Sequence, residues 1–287
     1  MRLLSAFLLA SLVGCSSYDL KSDVSYDQTN VPYGVFDWYR PTNLLGSPIE
    51  VGPKGLPCVV YVHGGGWMMG DKSAGKKFAD KVCSHGYAVV SPNYHLTGDL
   101  TMPDGTVVAG KPWPIQFENL KTFLIYLRAN AAQFGIDPDR IASVGVSAGG
   151  HLAQMLHLRD PSIRTVTGCD LDGETDLTQP GDQVMDNFDD IMTKAMGHAK
   201  PWTLAELTDI STLPLVTKDS KLFILHGERD TNIFVKQADL LAAKCQAVGC
   251  DYDYVRLPGA RGECHGNCLD DCQAFERFIK WLDRHLK

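Results

Sequence analysis

Short apolar runs alternate with helical patterns along most of the chain. CVVYVHG (58–64), YAVVSPN (87–93), IASVGVS (141–147), TVTGCDL (165–171), KLFILHG (221–227) and YDYVRLP (252–258) gather apolar side chains without strict polar alternation. Strands of that kind need cover on both faces, as in a parallel sheet with helices on either side. Between them, 117–132 carries apolar residues at helical spacing and ends near Gly135, and 236–248 ends at Gly249, a natural C-cap. The last segment, 275–286, places Phe275, Phe278, Ile279 and Leu282 on one stripe. This alternation predicts an α/β domain with a mainly parallel central sheet and right-handed crossovers. YGVFDWYRP (33–41) predicts an added antiparallel edge strand.

Two stretches break the rhythm. Residues 96–113 contain Asp104-Gly105, a turn dipeptide, and predict a small hairpin or loop. Residues 173–213 are polar and irregular, with Pro180 and Pro201, and predict a lid or pocket wall. Neither is long enough to be a domain. At 287 residues and 44% hydrophobic, the chain can bury a full core as one globular unit. The net charge of −7 argues against nucleic-acid binding, which needs a basic face.

The amino terminus stands apart. MRLLSAFLLASLVGCSSYDL opens with Arg2 and an apolar run from Leu3 to Val13. That run is too short for a permanent membrane helix and fits a signal peptide. Its end, Leu12-Val13-Gly14-Cys15, resembles the lipobox of bacterial lipoproteins. The resemblance implies cleavage before Cys15, a lipid on that sulfur and, with Ser16 rather than aspartate following, the outer membrane. Two or more acyl chains on one residue would hold the protein stably at a membrane surface. An ordinary secretory signal, with a periplasmic or secreted product, is the alternative. Residues 1–14 are thus expected to be the signal peptide and the polar residues 15–32 a tether.

Gly145-Val146-Ser147-Ala148-Gly149 matches G-x-S-x-G between a predicted strand and the helical AGGHLAQML. Small flanking residues permit a sharp strand-to-helix turn that pushes a serine Oγ out above the sheet. Ser147 is therefore the candidate nucleophile, a tight structural turn being the alternative. A serine hydroxyl needs a base to take its proton, and the oxyanion it creates needs preorganised N–H donors. His63-Gly64-Gly65-Gly66-Trp67 ends the first long buried strand. Its glycines allow backbone N–H groups to face a substrate, so Gly65 and Gly66, joined by Ala148, are the candidate oxyanion donors. His63 is expected to shape this loop rather than act as acid or base.

HGGGW, GVSAGG, HGERD and a late histidine together resemble the α/β-hydrolase esterases. Among these the chain is similar to hormone-sensitive-lipase-like carboxylesterases, and closer to compact relatives that include bifunctional feruloyl/acetyl-xylan esterases. The resemblance covers about residues 33–285 and is strongest over KPWPIQFENLKTFLIYLRANAAQFGIDPDRIASVGVSAGGHLA. It implies an α/β-hydrolase catalytic domain over 33–287, with helices on both sides of the sheet and a short lid insertion. It also implies a serine ester hydrolase acting on short-chain or aryl carboxylic esters, acetyl or feruloyl esters of polysaccharide among them. Neither a metal nor a cofactor is expected.

Triad order on this fold is serine, acid, histidine. The acid should follow a late strand, where KLFILHGERD supplies Asp230; Asp170, Asp172 and Asp176 are competitors and Glu228 is read as solvated or loop-shaping. The base should follow the last strand, where YDYVRLPGARGECHG supplies His265 after a small insertion. His285 lies in the terminal helix, His226 precedes the acid, and His151 reads as a packing residue on the helix after the elbow.

Beyond Cys15, eight cysteines remain: 58, 83, 169, 245, 250, 264, 268 and 272. An even number in an exported chain points to disulfides of unreadable connectivity. Cys264, Cys268 and Cys272 surround His265 and admit a zinc reading. Their spacing lacks the paired C-x2-4-C form of most zinc sites, so at least two are assigned to a disulfide that stiffens the loop. Trp67, Trp113 and Trp202 are candidate pocket aromatics, core or lid packing being the alternative. A peptidase or amidase on the same fold, and a non-catalytic binding protein, are the competing functions.

Overall fold

The computed structural model describes residues 18–43, 45–179 and 187–287. The signal peptide and Cys15 lie outside the described residues. The main sheet is built from β1 (Tyr18–Ser25), β2 (Val35–Pro41), β3 (Leu56–Val62), β4 (Ala88–Pro92), β7 (Ile136–Val146), β8 (Gly168–Leu171), β9 (Lys221–Gly227) and β10 (Asp251–Leu257). A separate two-stranded hairpin, β5 (Leu100–Thr101) and β6 (Val107–Val108), occupies the expected excursion. The strand order is β1-β2-β4-β3-β7-β8-β9-β10, antiparallel at β1/β2 and β2/β4 and parallel from β4 onward.

The apolar runs lack polar alternation because both faces of the sheet are covered. In β3, Cys58, Val60 and Val62 join one core while Val59 and Tyr61 join the other. The first core takes α2 (Ile115–Ala129) and α4 (Ala148–Leu158) through Leu120, Phe123, Leu152 and Met155. On the same side, α7 (Lys236–Val248) packs Leu241 against Leu222 and Ile224 of β9. The opposite face takes α1 (Gly75–Val82) and α8 (Cys272–Leu286) through Phe78, Phe278, Trp281 and Leu282. Each such fully buried side chain contributes about 1.5–3 kcal/mol relative to its exposed state. A four-residue helix, α3 (Ala131–Phe134), links α2 to β7. Asp271 caps α8 by accepting hydrogen bonds from the amides of Gln273 and Ala274.

Two expectations need correction. Residues 18–25, expected within a tether, form the outermost strand. Tyr18 packs edge-on against Tyr39, and Tyr26 and Tyr33 beyond the strand are buried. The segment reads as loop because an edge strand solvated over most of its surface can be polar at nearly every position. Residues 173–213 are not irregular throughout: they hold α5 (Phe188–Met196) and α6 (Leu204–Ile210). Thr203 and Glu206 form a reciprocal capping box on α6, an S/T-x-x-E signal available in the sequence.

The ends of β3, β7, β8, β9 and β10 all open on one edge of the sheet. Loops leaving the carboxyl ends of parallel strands are where this class of fold places its binding crevice.

Candidate active site

Ser147 sits between β7 and α4 with φ 57° and ψ −130°, outside the ordinary regions for an L-residue. Such a backbone costs on the order of 1–3 kcal/mol and persists only when its surroundings enforce it. Here the amide of Ser147 donates to the Leu171 carbonyl, and the His151 amide donates back to the Ser147 carbonyl. The turn also requires glycine at 149, where a Cβ would lie 2.2 Å from the Val62 carbonyl oxygen and 2.6 Å from that of His63. Gly149→Val should therefore lower stability by about 1–3 kcal/mol and depress activity with it. Thermal unfolding checks this; an unchanged melting temperature would contradict the tight approach.

The glycine loop after β3 crosses the elbow. Gly65, Gly66 and Trp67 all have positive φ, and a Cβ on Gly65 would meet the Met69 carbonyl oxygen at 2.2 Å. Among the described residues, the backbone N–H groups of Gly65, Gly66 and Ala148 donate no hydrogen bond. His63 shapes this loop: it stacks on Tyr94, and its Nδ1 lies 2.9 Å from the Gly64 carbonyl oxygen. Burial pushes its imidazole down to about 4, leaving it neutral at physiological pH. His151 is likewise buried and held at about 4, bonded to the Ile210 carbonyl and the Trp67 indole.

Asp230 follows β9 and His265 follows β10. The His265 Nδ1–H donates to Asp230 Oδ2 over 2.6 Å. The other carboxylate oxygen accepts from the amides of Asn232 (2.8 Å) and Ile233 (3.1 Å), which fixes its orientation. Burial works to raise the Asp230 carboxyl, but the His265 bond and charge and these two amides outweigh it, leaving it below the usual carboxylate range. Burial works to lower the His265 imidazole; the Asp230 bond and charge, with Asp172 and Glu174 behind them, carry it above its ordinary value. With Nδ1 carrying the proton, Nε2 offers a lone pair.

Ser147 and His265 line one cavity of about 430 Å³, with Gly64, Gly65 and Gly66 on its rim. Among the described residues no hydrogen bond joins the Ser147 hydroxyl to the imidazole. In unliganded sites this contact is often long and tightens on substrate binding.

Among the described residues, Asp170, Asp172 and Asp176 make no hydrogen bond to the His265 imidazole. Asp172 instead ties two loops together, accepting from the Gly227 amide at the end of β9 and from the Gly266 amide beside His265, each at 3.1 Å. Burial raises its carboxyl to about 6, against the lowering charges of His226 and His265. Asp170 is wholly buried, and burial with the neighbouring charges of Asp172 and Glu174 raises its carboxyl well above the normal range. Asp176 accepts from Thr178 in a local turn. Glu228 pairs with Arg256 on the surface.

Cys264 and Cys268 form a disulfide that brackets His265, while Cys272 is free and exposed. Cys58, Cys83, Cys169, Cys245 and Cys250 are free and buried, so the expectation of disulfides from an even cysteine count is not met at these positions. Asp172, Cys264 and Cys268 converge closely enough to hold a metal ion, but the two sulfurs are bonded to each other and leave one ligand. Asp172, His226 and Asp230 also converge, with Asp230 engaged by His265.

The three tryptophans do not line the cavity. Trp67 is buried against His151, Trp113 donates to Asp209, and Trp202 donates to the His198 carbonyl. The apolar wall is made by Met68, Met69, Phe188, Ile191 and Ile233. Sequence reasoning passed over Glu174 and the role of Asp172. Their signal is visible in CDLDGE, where three carboxyls stand at alternate positions on a buried strand's carboxyl end.

The BD-FAE family matches residues 47–245, which include the glycine loop, Ser147 and Asp230. Esterase LipC of Mycobacterium tuberculosis is 27% identical over 226 residues, covering 72% of this chain and 53% of that protein. Versiconal hemiacetal acetate esterase of Dothistroma septosporum is 33% identical over 130 residues, 44% of this chain and 35% of the relative. The chain spans about half the length of LipC and of two further M. tuberculosis relatives, LipQ and LipM. A truncated carbohydrate esterase from gut microbiota superposes with a TM-score of 0.75 at 20% identity, covering 94% of this chain and 97% of that one. An acetyl ester-xyloside bifunctional hydrolase from Caldicellulosiruptor lactoaceticus superposes with a TM-score of 0.68 at 19% identity, covering 96% and 98%. These likenesses agree with the sheet order and the elbow: the protein has the α/β-hydrolase fold, and over more than half its length it belongs to the BD-FAE family.

Proposed function

We propose that the protein is a serine carboxylesterase of short-chain or aryl esters, with Ser147, Asp230 and His265 as its triad. The observation that carries this reading is the 2.6 Å His265–Asp230 bond on a cavity wall shared with the strained Ser147 elbow. His265 Nε2 takes the hydroxyl proton as Ser147 Oγ attacks the ester carbonyl. The N–H groups of Gly65, Gly66 and Ala148 receive the oxyanion. The imidazolium, steadied by Asp230, gives its proton to the leaving alcohol, and water releases the acyl group by the reverse sequence.

The relatives named as esterases and the neighbours named for carbohydrate and acetyl esters favour acetyl esters of carbohydrate as substrates, with feruloyl esters the second class that the sequence resemblance implies. Export with a lipid on Cys15, which we propose alongside this activity, would suit an enzyme of large external substrates. The test is hydrolysis of p-nitrophenyl acetate, butyrate and decanoate, methyl ferulate, acetylated xylan and p-nitroacetanilide. Acetyl or feruloyl esters should be preferred, with the anilide turned over least. Activity on the anilide alone would move the assignment to an amidase. Inertness toward all six would return the binding-protein reading.

A further inference from the structure

Glu174 presents a feature that the triad does not use. It lies beyond β8 on the wall of the cavity that Ser147 and His265 share, and it is only 4% exposed. Its Oε2 is sealed from solvent without a hydrogen-bond partner, so a ligand in the cavity would reach the carboxyl at Oε1 or after the carboxyl group rotates. Among the described residues, no other residue donates to the carboxyl, whose one hydrogen bond comes from its own backbone amide. A buried polar group in that condition costs free energy, and an apolar side chain of similar volume would be the more stable occupant. Retaining a carboxyl there points to a partner that arrives from outside.

The cavity indicates what kind of partner. Asn187 and Asn232 line the same space, and among the described residues their side-chain amides carry no hydrogen bond. One carboxyl and two amides thus offer donors and acceptors in the same cavity as the apolar side chains of Met68, Phe188 and Ile191. An apolar face with several polar groups around it suits a sugar ring, whose hydroxyls both donate and accept. Burial raises the Glu174 carboxyl to about 7, so charged and neutral forms coexist near neutral pH. A hydroxyl pairs with either form, whereas an ammonium group would pair well only with the anion.

We propose that Glu174 is a specificity-determining residue whose carboxyl hydrogen-bonds a hydroxyl beside the scissile ester, so that the cavity selects esters of sugars over those of simple alcohols. This rests on the esterase reading above and adds to it the residue that recognises the alcohol.

The experiment compares kcat/KM on acetylated xylo-oligosaccharide and on p-nitrophenyl acetate for the full chain, Glu174→Leu and Glu174→Gln, with thermal unfolding of each. Losing a hydrogen bond to an ionisable group should cost Glu174→Leu about 10- to 100-fold more on the sugar ester than on p-nitrophenyl acetate. Glu174→Gln keeps an acceptor and should lose several-fold in the same ratio. Neither variant should melt appreciably below the wild type, because no other residue donates to the native carboxyl. A purely structural Glu174 would instead lower the melting temperature and both activities together. Should the leucine variant not fold, the ratio in Glu174→Gln decides. A ratio within twofold of wild type in the folded variants overturns the proposal while leaving the esterase reading intact. So does a wild type that cleaves p-nitrophenyl acetate but not the sugar ester. A wild type inert toward both defeats the esterase reading and the proposal with it.

Discussion

Ser147→Ala should lower kcat on p-nitrophenyl acetate by on the order of 10⁶-fold, the loss typical when a triad nucleophile is removed. The cavity holds no second hydroxyl or thiol nucleophile among its lining residues, so nothing near the glycine loop can take its place. What survives should be the modest acceleration from bound substrate and oriented N–H donors. Stability should change little. The alanine inherits the same φ of 57° and the same enforcing contacts, and the serine is only half-buried. Turnover and melting temperature measured on one preparation check both halves, and a variant keeping more than a hundredth of wild-type kcat would remove Ser147 from the mechanism.

Asp230→Asn should cost about 10⁴-fold in kcat, because an amide in that place no longer fixes the proton on Nδ1. It should also shift the pH profile in a determinable direction. His265 is carried above its ordinary value against burial, chiefly by the Asp230 bond. The base must be neutral, so wild-type kcat/KM should fall on the acid side at a pH above about 6.5. Removing Asp230's charge leaves burial dominant, and the residual activity should then persist to lower pH.

Stability runs the other way. A raised histidine contributes fully below its unfolded value and loses that contribution as pH rises through the folded value. The depressed Asp230 contributes above its unfolded value and loses it as pH falls through its folded one. The pair therefore stabilises most while His265 is charged, on the acid side of the activity optimum. Coincident optima in melting temperature and kcat/KM would contradict this assignment of the pair.

Much of the architecture was legible because parallel strands must be apolar on both faces. CVVYVHG and KLFILHG advertise themselves, whereas YDLKSDVS does not, since solvent rather than a helix covers most of β1. Ser147 and the glycine loop were legible because their backbones demand particular residue types at fixed spacing. Asp230 and His265 were legible only by position after late strands, and the structure adds the bond between them. The pocket wall was not legible. Tryptophan size drew attention to three residues that pack elsewhere, while the true wall comes from Met68, Met69 and α5, whose exposure to a cavity depends on tertiary placement. Glu174 lay hidden for the same reason, since a glutamate after a strand ordinarily reads as surface.

The bonds from Gly227 and Gly266 to the single carboxylate of Asp172 constrain how this chain can vary. The stretch between β10 and α8 carries Cys264 and Cys268, and it must return its backbone to the same anion that anchors the end of β9. Its landing point is fixed twice over, by the Cys264–Cys268 bond around His265 and by the Asp172 carboxylate that accepts from Gly266. A change of length there should leave the imidazole beside Asp230 only if it falls outside the Cys264–Cys268 bracket and an amide beside the histidine still reaches Asp172.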